Sequence, residues 1–132
     1  MADSIRLELV SPEGVLASED ADAVDLPVAE GDMTAMSGHA ALIATLNPGI
    51  IRTQRSDGID EYVVTGGFVE VNATSTSILA QQAYRRSELT SEMLKTHIEK
   101  AEDELSRSAG SQRDLAETRL ACLRNLTSQL GL

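Results

Sequence analysis

With 132 residues, 42% of them hydrophobic, the chain is long enough for one domain with an appendage and too apolar for a disordered polymer. Its aromatic residues are Tyr62, Phe68 and Tyr84, so the core must be built from Val, Ile, Leu and Ala. The net charge of −10 lies in residues 1–84, where 13 acidic groups face three arginines; such a surface repels phosphate backbones and argues against nucleic acid, leaving solubility or a basic protein partner as its meaning.

Residues 1–10 lack a basic stretch followed by an apolar run, so no signal peptide is expected there. Ile5, Leu7 and Leu9 instead alternate with Arg6 and Glu8, the period of a half-buried strand. Pro12-Glu13-Gly14 turns the chain, and Val24, Leu26 and Val28 resume the alternation. Glu30-Gly31-Asp32 is the next break. It opens a loop-like segment whose Met33 and Met36 must touch either the domain's own core or a partner. Asn47-Pro48-Gly49 is a strong turn signal. Ile50-Ile51-Arg52 and Tyr62-Val63-Val64 then flank a polar tip at Ser56-Asp57-Gly58. Gly66-Gly67 enters a strand through Phe68, Val69 and Val71, and Ile78-Leu79-Ala80 closes the series. Many short strands at close turn spacing predict a sandwich or a barrel.

The period changes near residue 87. Leu89, Met93, His97, Ala101 and Leu105 recur every four residues, which places them on one helix face. Ser87 is the expected N-cap and Gly110 the expected C-terminal stop. Ser111-Gln112-Arg113-Asp114 resembles a capping box for a second helix, on which Ala116, Leu120, Leu123, Leu126 and Leu130 share a face. The short break predicts an antiparallel hairpin. Like charges at Glu88–Glu92 and Glu99–Asp103 weaken the first helix, while Asp103–Arg107 supports it, so the apolar seam must hold the hairpin. Glu104 and Arg119 fall among the seam positions; they either pair across it or point into solvent at its edges. Arg113 and Arg124, three turns apart, offer a sparse basic outer face. The expected division is a β domain over residues 1–85 and a helical hairpin over 86–132, an α+β chain.

Little in the sequence carries chemistry. His39 and His97 have no metal-ligand spacing, and His97 reads as a packed histidine. Cys122, the lone cysteine, sits between Ala121 and Leu123 and reads as inert, with a reducing compartment favoured. Asp57, Asp60 and Glu61 occupy a hairpin tip with no pocket-forming neighbours, so a hydrolase is disfavoured. No cofactor or metal is expected, and no stretch approaches the roughly 18 apolar residues of a membrane span.

Five strings together resemble the epsilon subunit of F-type ATP synthases: Val10-Ser11-Pro12-Glu13-Gly14; Gly31-Asp32-Met33-Thr34; Ser37-Gly38-His39-Ala40-Ala41-Leu42; Pro48-Gly49-Ile50-Ile51-Arg52; and Gly66-Gly67-Phe68-Val69-Glu70-Val71, with Ile78-Leu79-Ala80 at the expected interval. The resemblance covers nearly the whole chain in order. It implies a β-sandwich followed by a helical hairpin, in a non-catalytic subunit of the central stalk that couples proton-driven rotation of the c-ring to ATP synthesis through gamma. It implies a peripheral location on the cytoplasmic face of the bacterial inner membrane. It also implies that Asp32, Met33, Met36, Ser37, Gly38, His39 and Leu42 belong to the interface with gamma and the ring. In many family members the hairpin is compact or extended, and when extended it reaches alpha and beta and blocks ATP hydrolysis. Some bind ATP through Leu/Ile-Asp-x-x-Arg-Ala. Here that string is Leu89-Thr90-Ser91-Glu92-Met93-Leu94, with Thr90, Met93 and Leu94 replacing the Asp, Arg and Ala, so ATP binding should be weak or absent. The hairpin is expected to be mainly compact, its regulatory role weakened. The alternative is a stand-alone interaction module sharing the same plan.

Overall fold

The computed structural model describes residues 4–132; the first three, which begin the stretch read against a signal peptide, lie outside the described residues. Contacts divide the chain into a β unit ending at Arg86 and a helical unit, Ser87–Leu132.

The β unit contains β1 (Ile5–Ser11), β2 (Gly14–Ala21), β3 (Ala23–Val28), β4 (Gly31–Met36), β5 (Leu42–Leu46), β6 (Gly49–Arg55), β7 (Gly58–Val64), β8 (Gly67–Val71), β9 (Ser75–Ala80) and β10 (Ala83–Arg85). One hydrogen-bonded path runs β10-β7-β6-β3-β5-β8-β9-β1-β2, with β4 on the side of β3. The path passes from one layer to the other through a single residue pair, Val28 opposite Leu46. The bonds Asn47 N to Pro27 O, at 2.8 Å, and Ala29 N to Thr45 O, at 2.9 Å, secure that crossing. The result is a β-sandwich. Its layers are also tied by Glu19 of β2, which accepts from Thr53 Oγ1 at 3.2 Å and Arg55 Nη1 at 3.0 Å of β6. β1 lies antiparallel to β2 but parallel to β9, so residue 6 sits opposite residue 75.

Strand alternation decides what fills the interior. Ile5, Leu7, Leu9, Val24, Leu26, Ile51, Val64, Val69 and Ile78 are fully buried in one cluster. Tyr62 joins them at 1% exposure, whereas Phe68 stands 58% exposed. The aliphatic core expected from composition is thus present, with one tyrosine in it.

Two strands differ from the sequence reading. β2 has no signal of its own, because its buried positions are Ala17 and Ala21 among acidic residues. The segment read as a loop from residue 32 begins as β4, which pairs with β3 over its whole length, from Ala23 opposite Met36 to Val28 opposite Gly31.

In the helical unit a short 3-10 turn (Arg86–Glu88) precedes α1 (Ser91–Ser106), which is followed by α2 (Ser111–Leu130). α1 starts later than expected. Its N-cap is Thr90, whose side chain accepts from Met93 N, and not Ser87. Gly110 does not end α1, which closes at Arg107; it is the N-cap of α2, at φ 63°. Ser111 is therefore inside α2, and no side-chain cap opens that helix. A left-handed residue was needed between the helices, and only glycine adopts that conformation cheaply.

Candidate functional site

The segment that the family resemblance marked as an interface does not form one patch. Asp32 lies beside the β3–β4 turn, and His39 lies beyond the far end of β4. At about 3.3 Å of rise per residue the strand alone separates Asp32 from Met36 by roughly 13 Å, and His39 follows the turn beyond Met36. Met33 is half-buried against the core, which answers half of the question about the two methionines. Met36 faces outward at 55% exposure, and Leu42 is 38% exposed at the start of β5. Between them Gly38 N donates to Ala73 O at 2.9 Å and His39 N donates to Met36 O at 3.1 Å, while His39 Nδ1 lies 2.6 Å from Ala40 O. These bonds fix the exposed loop that carries Ser37, Gly38 and His39.

The larger surface feature lies on the outer face of β5, β8, β9, β1 and β2. Registers set Thr45 opposite Phe68, Phe68 opposite Leu79, Leu79 opposite Val10, and Val10 opposite Val15. This row crosses five strands. Phe68, Leu79 and Val15 are 58%, 62% and 63% exposed, and Ile43, one step along β5 on the same face, is 74% exposed. The next row is polar beyond Ile43 at its β5 end: Glu70, Ser77, Glu8 and Ser18. An apolar row of this extent, bordered by carboxylates, is the signature of a protein-binding surface. The sequence carried the necessary signal in Gly67-Phe68-Val69-Glu70-Val71. If Val69 and Val71 point inward, Phe68 must point outward with Glu70.

The arginines of the β unit are all engaged. Arg6 approaches Glu8 and Asp20, and Arg55 binds Glu19 at 3.0 Å and Asp60 at 2.9 Å and approaches Asp57 at 3.5 Å. Glu61 holds Arg52 and Arg86. Asp57, Asp60 and Glu61 are thus ion-pair partners, each committed to an arginine. Among the described residues of the β unit, Glu13, Asp22, Asp25, Glu30, Asp32 and Glu70 enter no ion pair; Asp25 accepts instead from Thr34 Oγ1 at 2.7 Å and Gln54 Nε2 at 3.1 Å, and most of the others lie on turns or on the outer face.

In the helical unit the seam consists of Leu94, His97 and Ala101 from α1 with Ala116, Leu120, Leu123 and Leu126 from α2. Met93 and Leu105 are half-buried beside it, and Leu89 is buried but precedes the helix. Glu104 and Arg119 do not form the ion pair considered for them. Glu104 is exposed at the rim, where its carboxylate keeps its water, and Arg119 is half-buried. The ion pair that crosses between the helices is Arg124–Glu102, at 3.1 Å. Arg113 pairs with Glu117 at 3.3 Å, so the expected basic outer face is internally compensated. Asp103–Arg107 forms as expected. Burial, with the charges of Lys100 and Arg119, lowers the pKa of His97 and keeps the imidazole neutral. Burial raises the Cys122 thiol, which disfavours the reactive thiolate.

Similarity to known proteins agrees with this architecture. The family described as ATP synthase, Delta/Epsilon chain, beta-sandwich domain, matches residues 4–86. The ATP synthase epsilon chain of Cereibacter sphaeroides is 45% identical over 131 residues, covering 99% of both chains. That of Rhodobacter capsulatus is 41% identical over 132 residues, covering 100% of both. A chain of the Euglena gracilis mitochondrial ATP synthase structure containing OSCP, F1 and the c-ring superposes with a TM-score of 0.73 at 27% identity, covering 96% of this chain and 81% of that one. No helix among the described residues is long and apolar enough to cross a membrane. A β-sandwich whose outer face is prepared for a protein partner, a two-helix unit joined to it, and full-length similarity at this level lead to one conclusion: the chain belongs to the epsilon-chain family of ATP synthases.

Proposed function

We propose that the chain serves as the non-catalytic central-stalk subunit of a bacterial F-type ATP synthase, with its β unit seated on gamma and the c-ring. Ring rotation driven by protons is thereby coupled to ATP synthesis. The observation that carries this reading is the outward apolar row of Phe68, Leu79, Val10 and Val15, with Ile43 beside it. Such a row suits the apolar centre of a stable interface, and gamma is the partner assigned to it. Ile43 carries that surface onto β5, whereas Leu42, opposite Val71, lies on the inward side of the strand and is exposed only because it begins it. The separate turn bearing Glu30 and Asp32 is polar and uncompensated in charge, which suits the polar loops of the ring. The subunit would then be peripheral, held on the cytoplasmic face of the inner membrane by the complex. Purification through a tag on this chain from membranes of its own cells should recover gamma and the c-ring together. Recovery of unrelated proteins alone would overturn the proposal.

The helical unit, in this reading, is a regulatory arm able to reach alpha and beta but without a nucleotide sensor. Thr90 stands where the family motif has an acid, and its hydroxyl is spent on the Met93 amide at 3.2 Å. Met93 and Leu94 supply no cation for a phosphate. Calorimetric titration of ATP into the isolated chain should give no saturable heat at micromolar concentrations; a micromolar dissociation constant would sink this part of the reading.

A further inference from the structure

The last residues of the β unit are fastened in an unusual way. β10 is only three residues long and pairs solely with β7, setting Ala83, Tyr84 and Arg85 opposite Val64, Val63 and Tyr62. An edge strand this short holds weakly by its backbone bonds alone. Side chains reinforce it. The guanidinium of Arg85 lies 5.6 Å from the ring centroid of Tyr62, which is 1% exposed. Arg86, the final residue of the unit, donates from Nη1 to Glu61 Oε1 at 2.9 Å. Arg52 of β6, directly opposite Glu61 in register, donates from Nη2 to Glu61 Oε2 at 3.1 Å. Two consecutive arginines thus grip two consecutive residues of β7, and the Glu61 carboxylate links β6, β7 and the residue after β10. Burial alone would raise the Glu61 carboxyl, yet the two arginines outweigh it and hold it below the usual carboxylate range. Its side chain is 23% exposed, so these charge-assisted bonds are partly shielded from water.

We infer that the Arg52–Glu61–Arg86 ladder, with Arg85 on Tyr62, is an anchor that ends the rigid sandwich at Arg86 and confines flexing between the two units to the residues beyond it. Its regulatory consequence rests on the proposed reading of the helical unit as an arm. Without the anchor, β10 would peel from β7 and the flexible connection would begin nearer Gln81. A longer and looser connection lowers the effective concentration of the arm at any docking site.

Hydrogen–deuterium exchange on the full chain tests the anchor directly. In Glu61→Gln, amides of residues 81–88 should exchange about tenfold faster than in the wild type, the effect of losing a half-shielded charged bond. Amides of β8 and β9 should be unchanged, as should the whole profile of the control Glu70→Gln. Trypsin cleavage after Arg86 should accelerate by a similar factor. Wild-type exchange at residues 81–88 in Glu61→Gln would overturn the anchor, and so would equal loosening of every strand, since Glu61 would then be a general stabiliser. The arm is tested separately, by ATP hydrolysis of the assembled enzyme carrying a chain that lacks residues 87–132. If hydrolysis is unchanged there while the exchange result holds, the anchor stands and the regulatory reading of the arm fails. If hydrolysis rises on deletion, Glu61→Gln should raise it part of the way, and a wild-type rate in Glu61→Gln would refute the anchor's regulatory consequence.

Discussion

Replacing Leu79 by Asp should leave the β unit folded and weaken its hold on gamma by about thirtyfold or more, the scale of a central interface residue. The two halves of this expectation have separate causes. Leu79 is 62% exposed and points away from the core, so its loss removes little buried area and stability should change by about 0.5 kcal/mol or less. In a complex, its neighbours Phe68 and Val10 would be covered with it, and a carboxylate placed there would lose water without gaining a partner. Titration of gamma into the full-length variant gives the affinity, and a thermal melt gives the stability. Wild-type affinity with an unchanged melt would remove the apolar row from the interface.

The largest effect on folding is expected from Gly67→Ala. Gly67 has φ near +142°, a region where a side chain is strained, and a Cβ there would lie 2.2 Å from the carbonyl oxygen of Leu79 and 2.9 Å from the Cα of Ala80. Both obstacles are backbone, so β8 and β9 would have to separate. The cost should be about 3 kcal/mol or more, a fall of more than 10 °C in the melting temperature of the β unit. Gly58→Ala provides the contrast, because φ is +150° there but no atom lies within 4 Å of the added carbon. It bears the conformational penalty alone and should cost about 1 kcal/mol. Equal losses in the two variants, read by circular dichroism, would show that the close packing at Gly67 is unimportant.

The order of most strands could be read from period-two alternation because their inward residues are large. Ile5, Leu7 and Leu9 announce β1, and Val24, Leu26 and Val28 announce β3. β2 escaped because alanines sit where the signal should be, and β4 escaped because Gly31 and the methionines resemble a loop until β3 pairs with them. The hairpin seam was legible in outline. Its cross-helix ion pair was not, because whether Glu104 or Glu102 meets an arginine depends on the rotation of α1 about its axis, which a face shared by several residues leaves open. The interface segment drawn from family resemblance was contiguous in sequence, but a strand running through it carried Asp32 and His39 to opposite ends. The apolar row had the reverse character. Val10, Val15, Phe68 and Leu79 are scattered along the chain, and only the register of four strands brings them together.

The parallel pairing of β1 with β9 has a consequence for how the protein is made. The partners are separated by about seventy residues, and at ribosomal speeds of 5–20 residues per second the ninth strand emerges about 4–14 s after the first. Through that interval Ile5, Leu7 and Leu9 have β2 as their available neighbour, and their other edge is open to any passing strand. The crowding of Glu19, Asp20 and Asp22 near the end of β2 then acts as a guard: it surrounds the nascent hairpin with negative charge and discourages like chains on a polysome from pairing with it.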